Sequence, residues 1–164
     1  MSEDVDIRSF FVPGKIRGKG RPRFTSVGKF GRAYTPKETV HYEALIRLEY
    51  QRKYGLMPPM DGPLSLVVVC WFPIPASWPK KKRSEALMYT GKPDGDNIIK
   101  AVGDALNCVA FADDSQIADV RCIRLYSGDR AGNAVPAHNG ISVTLKTADA
   151  LGIMAWVEKK EAVK

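Results

Sequence analysis

Residues 64–72 read LSLVVVCWF, an almost unbroken run of apolar and β-branched side chains. A run of this kind predicts a central β-strand that is covered on both faces. Pro73, Pro75 and Pro79 follow it and break regular structure. We therefore expect the fold to be organised around this strand, with the next regular element beginning some distance beyond it.

Shorter patterns predict the elements on either side. A strand is expected over residues 7–12, and a helix over 36–54, because Pro36 can occupy a first helical position and Gly55 a helix stop. A second helix is expected over residues 96–107. Strands over 120–126 and 141–146 are expected to form an antiparallel pair. The apolar side chains predicted to face the core from the first helix are Val40, Tyr42, Ala44, Leu45 and Leu48.

The order β-α-β-α-β-β predicts one α/β domain of the α+β type over residues 1–164, with a small mixed sheet of about four strands and two main helices. Residues 15–35 are rich in Gly, Lys and Arg without clear periodicity, which indicates a loop or irregular ribbon. The tail, residues 149–164, could form a short extra helix.

The composition narrows the class of function. A formal net charge of +7 and a pI of about 9.4 indicate a polyanionic partner, of which nucleic acid is the commonest. Three cysteines without C-x-x-C spacing and two histidines argue against structural zinc. Residues 1–6 are polar and acidic, unlike a secretion signal, and the longest apolar run is too short for a bilayer. A cytoplasmic protein without membrane attachment is expected.

Basic residues dominate the N-terminal part of the chain. Residues 7–37 hold nine of them and no acid. Interleaved glycines would let the backbone approach phosphates, so this stretch predicts DNA contact, although a solvated flexible loop would explain it too. The run 80–83 has the same two explanations. The cations expected to contact DNA are Lys19, Arg21, Arg23, Lys80, Lys81, Lys82 and Arg83.

Acidic residues concentrate downstream. Residues 94–119 hold six of the 18 acids, all Asp, with Lys100 and no other cation before Asp119. Asp94 and Asp96 flank Gly95 in a turn that leads into the second helix, so both carboxylates could converge on Mg²⁺, a hard ion that favours rigid carboxylates. The alternatives are a helix cap at Asp96 and an Asx-turn at Asp94.

Two further positions could complete such a site. Lys100 is expected one turn along the exposed face of the second helix, where it could hold a phosphate oxygen or position a water. A Lys100–Asp104 pair is the alternative. Asp113 and Asp114 follow the segment that leads back from that helix, and one of them could supply a third carboxylate. The alternative there is an ordinary turn.

These residues carry a family resemblance. The pattern of Asp94, Asp96, Asn97, Lys100 and Asp104, followed by Asp113-Asp114, resembles the signature of RusA-family Holliday junction resolvases. Upstream, GKGRPRF at residues 18–24 and AYTP at 33–36 resemble the N-terminal part of longer, phage-type members. The resemblance covers roughly residues 7–147.

The resemblance implies a Mg²⁺-dependent endonuclease, with Mn²⁺ as a plausible substitute, encoded by a bacterium or phage. It would act as a homodimer that cuts four-way DNA junctions by paired nicks. It assigns the metal-binding and catalytic acids to Asp94, Asp96 and Asp114, and the catalytic lysine to Lys100. Asp104 and Asp113 also match family positions, and we include Asp113 among the expected metal ligands.

Three other functions fit parts of the pattern. A nuclease for other branched or flapped DNA would need the same chemistry. A non-catalytic DNA-binding module would explain the basic stretch, but it would not explain acids gathered where DNA should dock. A D-x-D glycosyltransferase would use the acids to hold a metal and a nucleotide sugar, although the chain is short for that class.

Overall fold

The computed structural model describes residues 6–27, 30–128, 138–150 and 152–154, apart from the side chains of residues 25–32. Most of the tail, for which a short helix was predicted, lies outside the described residues. The elements in chain order are β1 (Ile7–Pro13), β2 (Arg23–Val27), β3 (Phe30–Tyr34), α1 (Lys37–Tyr54), β4 (Leu64–Pro73), α2 (Lys80–Glu85), α3 (Gly95–Leu106), a 3-10 turn (Asp114–Gln116), β5 (Ile117–Ser127) and β6 (Gly140–Thr147).

A four-stranded mixed sheet in the order β1-β6-β4-β5 forms the centre of the fold. The expected small mixed sheet and the two main helices are confirmed. The predicted pairing of the last two strands is wrong, because β4 lies between them, parallel to β5 and antiparallel to β6. The chain therefore crosses over from β4 to β5 through α3, as parallel neighbours require.

The helices cover one face of this sheet. Leu66, Val68 and Cys70 of β4 point to that face and are fully buried. The alternate side chains Val67, Val69 and Trp71 remain partly exposed. Among the described residues, the expectation that β4 is covered on both faces is thus met on one face only. Because both faces of the strand carry apolar residues, the sequence pattern did not show which face would remain partly exposed.

Helix α1 buries Tyr42 as predicted and packs Leu45 against the core, but Ala44 is exposed and the rest of its buried face differs from the prediction. Its buried residues are Thr39, Tyr42, Ile46 and Tyr50, whereas Val40 and Leu48 are 48% and 52% exposed. The reason is a buried polar contact, since the Arg8 guanidinium donates a hydrogen bond to the Tyr50 hydroxyl at 2.6 Å and also pairs with Asp6. A buried guanidinium needs such partners, and Tyr50 supplies one only when it faces the sheet.

Two elements were missed. Residues 15–35, expected to be a loop or irregular ribbon, contain the antiparallel pair β2–β3. The run of basic residues after Pro79 forms the short helix α2 rather than a loop. Among the described helices, none combines the length and the apolar character that crossing a bilayer requires.

Candidate active site

The turn before α3 presents two exposed carboxylates. Asp94 occupies the N-cap position, one residue before the helix begins at Gly95, and Asp96 lies in the first turn. The alternative explanation of Asp96 as the helix cap is therefore excluded, and Asp94 makes no side-chain capping hydrogen bond either. Both carboxylates are exposed. Neither carboxylate caps the helix through its side chain, so capping does not explain why an acid is present at either position.

Lys100 lies one turn along the same helix. Its Nζ is 3.6 Å from Asp96 Oδ2, and the two side chains are 63% and 65% exposed. The alternative pair with Asp104 does not form, because Asp104 binds another lysine. An exposed i,i+4 pair is worth only a few tenths of a kcal/mol, so Lys100 can turn towards a phosphate at little cost.

The turn is fastened to strand β5. Arg124 Nη1 donates hydrogen bonds to the carbonyl oxygens of Gly91 at 2.8 Å and Pro93 at 3.2 Å. Gly95 packs against Cys122, whose Sγ would lie 3.4 Å from a Cβ at that position. Sequence reasoning missed Arg124, because it is one of two arginines in β5 and nothing in the pattern distinguishes it from Arg121. This support fixes where Asp94 and Asp96 point.

Two thiols lie beneath the turn. Cys70 is buried and Cys122 half-buried, and both are free. The hydrogen bond with Cys70 lowers the pKa of Cys122 to about 7 against the opposing effect of burial, and Arg124 adds to the lowering. The same hydrogen bond and burial raise the pKa of Cys70. We therefore expect any thiolate of this pair to reside on Cys122.

Asp113 and Asp114 begin the 3-10 turn that precedes β5. Asp113 caps it, because its Oδ1 accepts a hydrogen bond from the Ser115 amide at 2.8 Å while Gln116 completes a capping box. Hydrogen bonds from the Ser115 hydroxyl and amide lower the pKa of Asp113. Asp113 therefore has a structural role in the turn, and the exposed Asp114 is the better candidate for a ligand.

The acids do not gather in one chain. Asp94 lies at the N-terminal end of α3, whereas the 3-10 turn follows its C-terminal end, next to Met60 and Gly62. A 12-residue helix is about 18 Å long. Within the described residues, no three Asp, Glu, His or Cys side chains could together hold a metal ion. The described residues of one copy thus do not bring Asp94, Asp96 and Asp114 together, and their joint role as metal ligands stays a prediction.

Asp94 and Asp96 nevertheless suit Mg²⁺ as a donor set. Mg²⁺ is commonly held by one or two carboxylates, with waters and substrate phosphate in the remaining positions. The two exposed carboxylates offer that number of protein ligands and lie where a phosphate could reach them. The chemistry of these donors therefore fits the ion even though a third carboxylate is distant.

Lys19 connects residues 15–35, the basic segment, to helices α1 and α3. Its Nζ lies 2.7 Å from Glu43 Oε1 on α1 and 2.5 Å from Asp104 Oδ2 on α3. Burial alone would lower the pKa of Lys19, but the hydrogen bonds with Asp104 and Glu43 raise it. The Lys19 amide also donates to the Asn97 carbonyl at 2.7 Å. Lys19 is thus half-buried between α1 and α3, unlike the exposed Arg21 and Arg23 that were also predicted to contact DNA.

The glycine before Lys19 makes this contact possible. A Cβ on Gly18 would lie 2.8 Å from Asn97 Cβ and 3.1 Å from Pro93 Cβ. The backbone of the basic segment therefore lies directly on the start of α3, beside Asp94 and Asp96. The turn that carries Asp94 and Asp96, residues 93–96, is the acidic turn. Gly18 and Lys19 contact its end, and the exposed Arg21 and Arg23 follow them along the chain.

Comparison with known proteins bears on this arrangement. A family model described as Endodeoxyribonuclease RusA matches residues 13–135, which include the basic segment, the acidic turn and the 3-10 turn. This chain belongs to the RusA family. The RusA family comprises endodeoxyribonucleases and is the family of Holliday junction resolvases. The chain is therefore a hydrolase that acts on DNA.

A curated relative supports the same relationship. The "Uncharacterized protein YqaN" of Bacillus subtilis (strain 168) is 32% identical over 129 residues, which cover 75% of this chain and 90% of the relative. The matched length shows that the two proteins are similar over most of both chains.

The second basic run lies within the RusA match. Lys80, Lys81, Lys82 and Arg83 form most of α2 and are all exposed. Lys82 Nζ lies 3.9 Å from the centroid of the Trp78 ring, a cation–π contact that orients this short helix. Arg83 and Lys80 line a surface depression together with Pro73, at the end of β4 that leads towards the acidic turn. Its exposure keeps this run available for DNA.

Proposed function

We propose that this RusA-family chain is a Mg²⁺-dependent endodeoxyribonuclease that resolves four-way DNA junctions by paired symmetric nicks. The observation that carries the proposal is the placement of Asp94 and Asp96 on a fastened turn, with Lys100 one helical turn away and the basic segment docked alongside. Carboxylates in that position would repel phosphate unless a cation lay between them. Asp94 and Asp96 would hold the ion, and Mn²⁺ is a plausible substitute.

The residues divide the chemistry between them. Bound Mg²⁺ would supply an activated water and relieve charge at the phosphorus. Lys100 would leave its weak pair with Asp96 and place its ammonium against a non-bridging phosphate oxygen, where negative charge grows during attack. Arg124 would keep Asp94 in position by holding the carbonyls of Gly91 and Pro93. The exposed Arg21 and Arg23 would hold the DNA backbone beside the turn.

A homodimer follows from the same proposal. Two symmetric nicks require two sites related by a two-fold axis. The separation of Asp114 from Asp94 along α3 supports a dimer in a second way, because the described residues of one copy bring no third carboxylate to Asp94 and Asp96, and a second copy could supply it. The proposed catalytic set is therefore Asp94, Asp96 and Lys100, with Asp114 contributed across the dimer.

A panel of DNA substrates tests the proposal. We expect Mg²⁺-dependent cleavage of a synthetic four-way junction into two nicked duplexes, with much slower cutting of flaps, three-way junctions and linear duplex. Equal cutting of flaps and junctions would favour the broader branched-DNA nuclease. Junction binding without any cutting in Mg²⁺ or Mn²⁺ would favour the non-catalytic module and overturn the proposal.

The exposed arginines of the basic segment give a second prediction. We expect the variant with Arg21→Ala and Arg23→Ala to bind junction DNA more weakly, with the slope of log affinity against log salt reduced by roughly 2, because each phosphate contact contributes about 0.9. The measurement is a filter-binding or anisotropy titration from low to moderate salt. Arg52→Ala removes an exposed arginine on α1 that pairs with Glu49, and it should leave the slope unchanged. An equal slope in all three proteins would contradict phosphate contact by Arg21 and Arg23.

A further inference from the structure

A cavity of about 560 Å³ opens directly beside the acidic turn. Pro93, the residue before Asp94, forms part of its wall. Lys15 and Ile16, at the start of the basic segment, also line it. The cavity therefore lies between the two features that the proposed function uses, and its volume is typical of a site for a small organic group.

The walls of the cavity are aromatic and held in place. Phe72 and Tyr89 are stacked with ring centroids 3.7 Å apart, and Tyr126 meets Tyr89 edge-on at 5.3 Å. The Tyr89 hydroxyl donates a hydrogen bond to the Lys92 carbonyl at 2.6 Å. Trp71 adds a half-buried indole whose N–H donates to the Ser142 hydroxyl at 3.4 Å. The cavity thus offers aromatic surface that is ordered before any ligand arrives.

Charge decides between the possible occupants. Two exposed lysines, Lys15 and Lys92, stand at the cavity, and none of its described lining residues is acidic. Aromatic surface combined with cations is the arrangement that binds unpaired nucleic acid, since bases stack on the rings while the cations meet the phosphates. An uncharged apolar ligand or peptide would gain nothing from the lysines.

We propose that this cavity, lined by Trp71, Tyr89 and Tyr126, receives one unstacked nucleobase of the DNA strand next to the phosphate that is cut. This proposal rests on the proposed function, because that function requires the chain to bind and cut junction DNA. Extruding a base costs least where stacking or pairing is already interrupted, as it is at a branch point. A captured base would fix which phosphodiester bond lies over Asp94, so the cavity would set the position of the cut.

Abasic substitution tests this subsite. A set of junctions is prepared, each with one abasic site at one of the two nucleotides on either side of the mapped cut. Where no cut is found, the positions are counted from the crossover. Binding is measured in EDTA. We expect one abasic position to weaken binding by wild-type protein roughly tenfold, the effect of one lost base–aromatic stack. Trp71→Ala should bind the intact and that abasic junction equally. Leu48→Ala, which removes an exposed side chain on α1 outside the cavity, should discriminate as wild type does.

Two outcomes would overturn the subsite. In the first, wild-type protein binds every abasic junction as tightly as the intact one. In the second, Trp71→Ala still discriminates between them. Should Trp71→Ala fail to fold, Trp71→Leu keeps bulk in the sheet while removing the aromatic surface, and the same comparison applies. Cleavage in Mg²⁺ is assayed in parallel, so that cutting without discrimination refutes the subsite alone, and discrimination without cutting refutes the nuclease proposal alone.

Discussion

Replacing Asp94 with Asn is expected to reduce junction cleavage at least 100-fold while leaving junction binding intact. The amide has the size of the carboxylate but lacks its charge, so the proposed site loses one of two ligands for a hard cation. Charge relief by a metal is worth several kcal/mol, and each 1.4 kcal/mol is a factor of ten in rate. Stability should change little, because Asn is as favourable as Asp at an N-cap and Asp94 makes no capping hydrogen bond.

The experiment compares single-turnover cleavage in Mg²⁺ with binding in EDTA for each protein. Asp61→Asn is a matched control, since Asp61 lies in the turn before β4 and its Oδ1 only accepts a hydrogen bond from the Gly62 amide, which Asn can also accept. We expect that control to cut at the wild-type rate. Cleavage by Asp94→Asn within a few-fold of wild type would refute the assignment of Asp94 as a metal ligand.

Replacing Leu106 with Ala is expected to lower the free energy of unfolding by about 3 kcal/mol. Leu106 is fully buried at the end of α3, so truncating it removes apolar contact and leaves a cavity under the helix that carries the acids. For a domain of this size the melting temperature should fall by roughly 6–12 °C. Urea unfolding with an unchanged slope would measure the loss directly.

Leu48→Ala is the matched comparison, because it deletes the same atoms from an exposed position on α1. We expect its free energy of unfolding to stay within about 0.5 kcal/mol of wild type. The pair also tests the orientation of α1, since periodicity placed Leu48 in the core and the structure places it at the surface. Similar losses for both variants would contradict the observed face of α1.

The parts of the fold that were predictable depend on local patterns. The apolar run of β4 forms the predicted strand, α3 forms over nearly the predicted residues, and Gly55 ends α1 as expected. The face of α1 was not predictable, because it depends on the partner that Tyr50 gives to a buried arginine 42 residues earlier. Strand order was not predictable either, since no local sequence pattern indicates that β4 lies between β5 and β6.

The candidate site divides in the same way. Asp94, Asp96 and Lys100 share one short stretch, so their proximity followed from helix geometry. The distance of Asp114 depends on how the chain returns along α3, which residue types do not reveal. Arg124 and Lys19 act through contacts with backbone or side chains far along the chain, and a sequence shows them only as unremarkable cations.

The contact of Lys19 with Glu43 and Asp104 has a consequence for how such chains diverge. One cation and two anions from separate parts of the chain meet in a half-buried place, so removing Lys19 alone leaves two unpaired carboxylates, and removing both acids leaves an unpaired lysine. Substitutions at these positions should then be inherited together, and a relative that has lost the lysine should also have lost an acid. The aspartate at position 104 would persist in relatives as the partner of a distant lysine, whether or not it ever meets DNA.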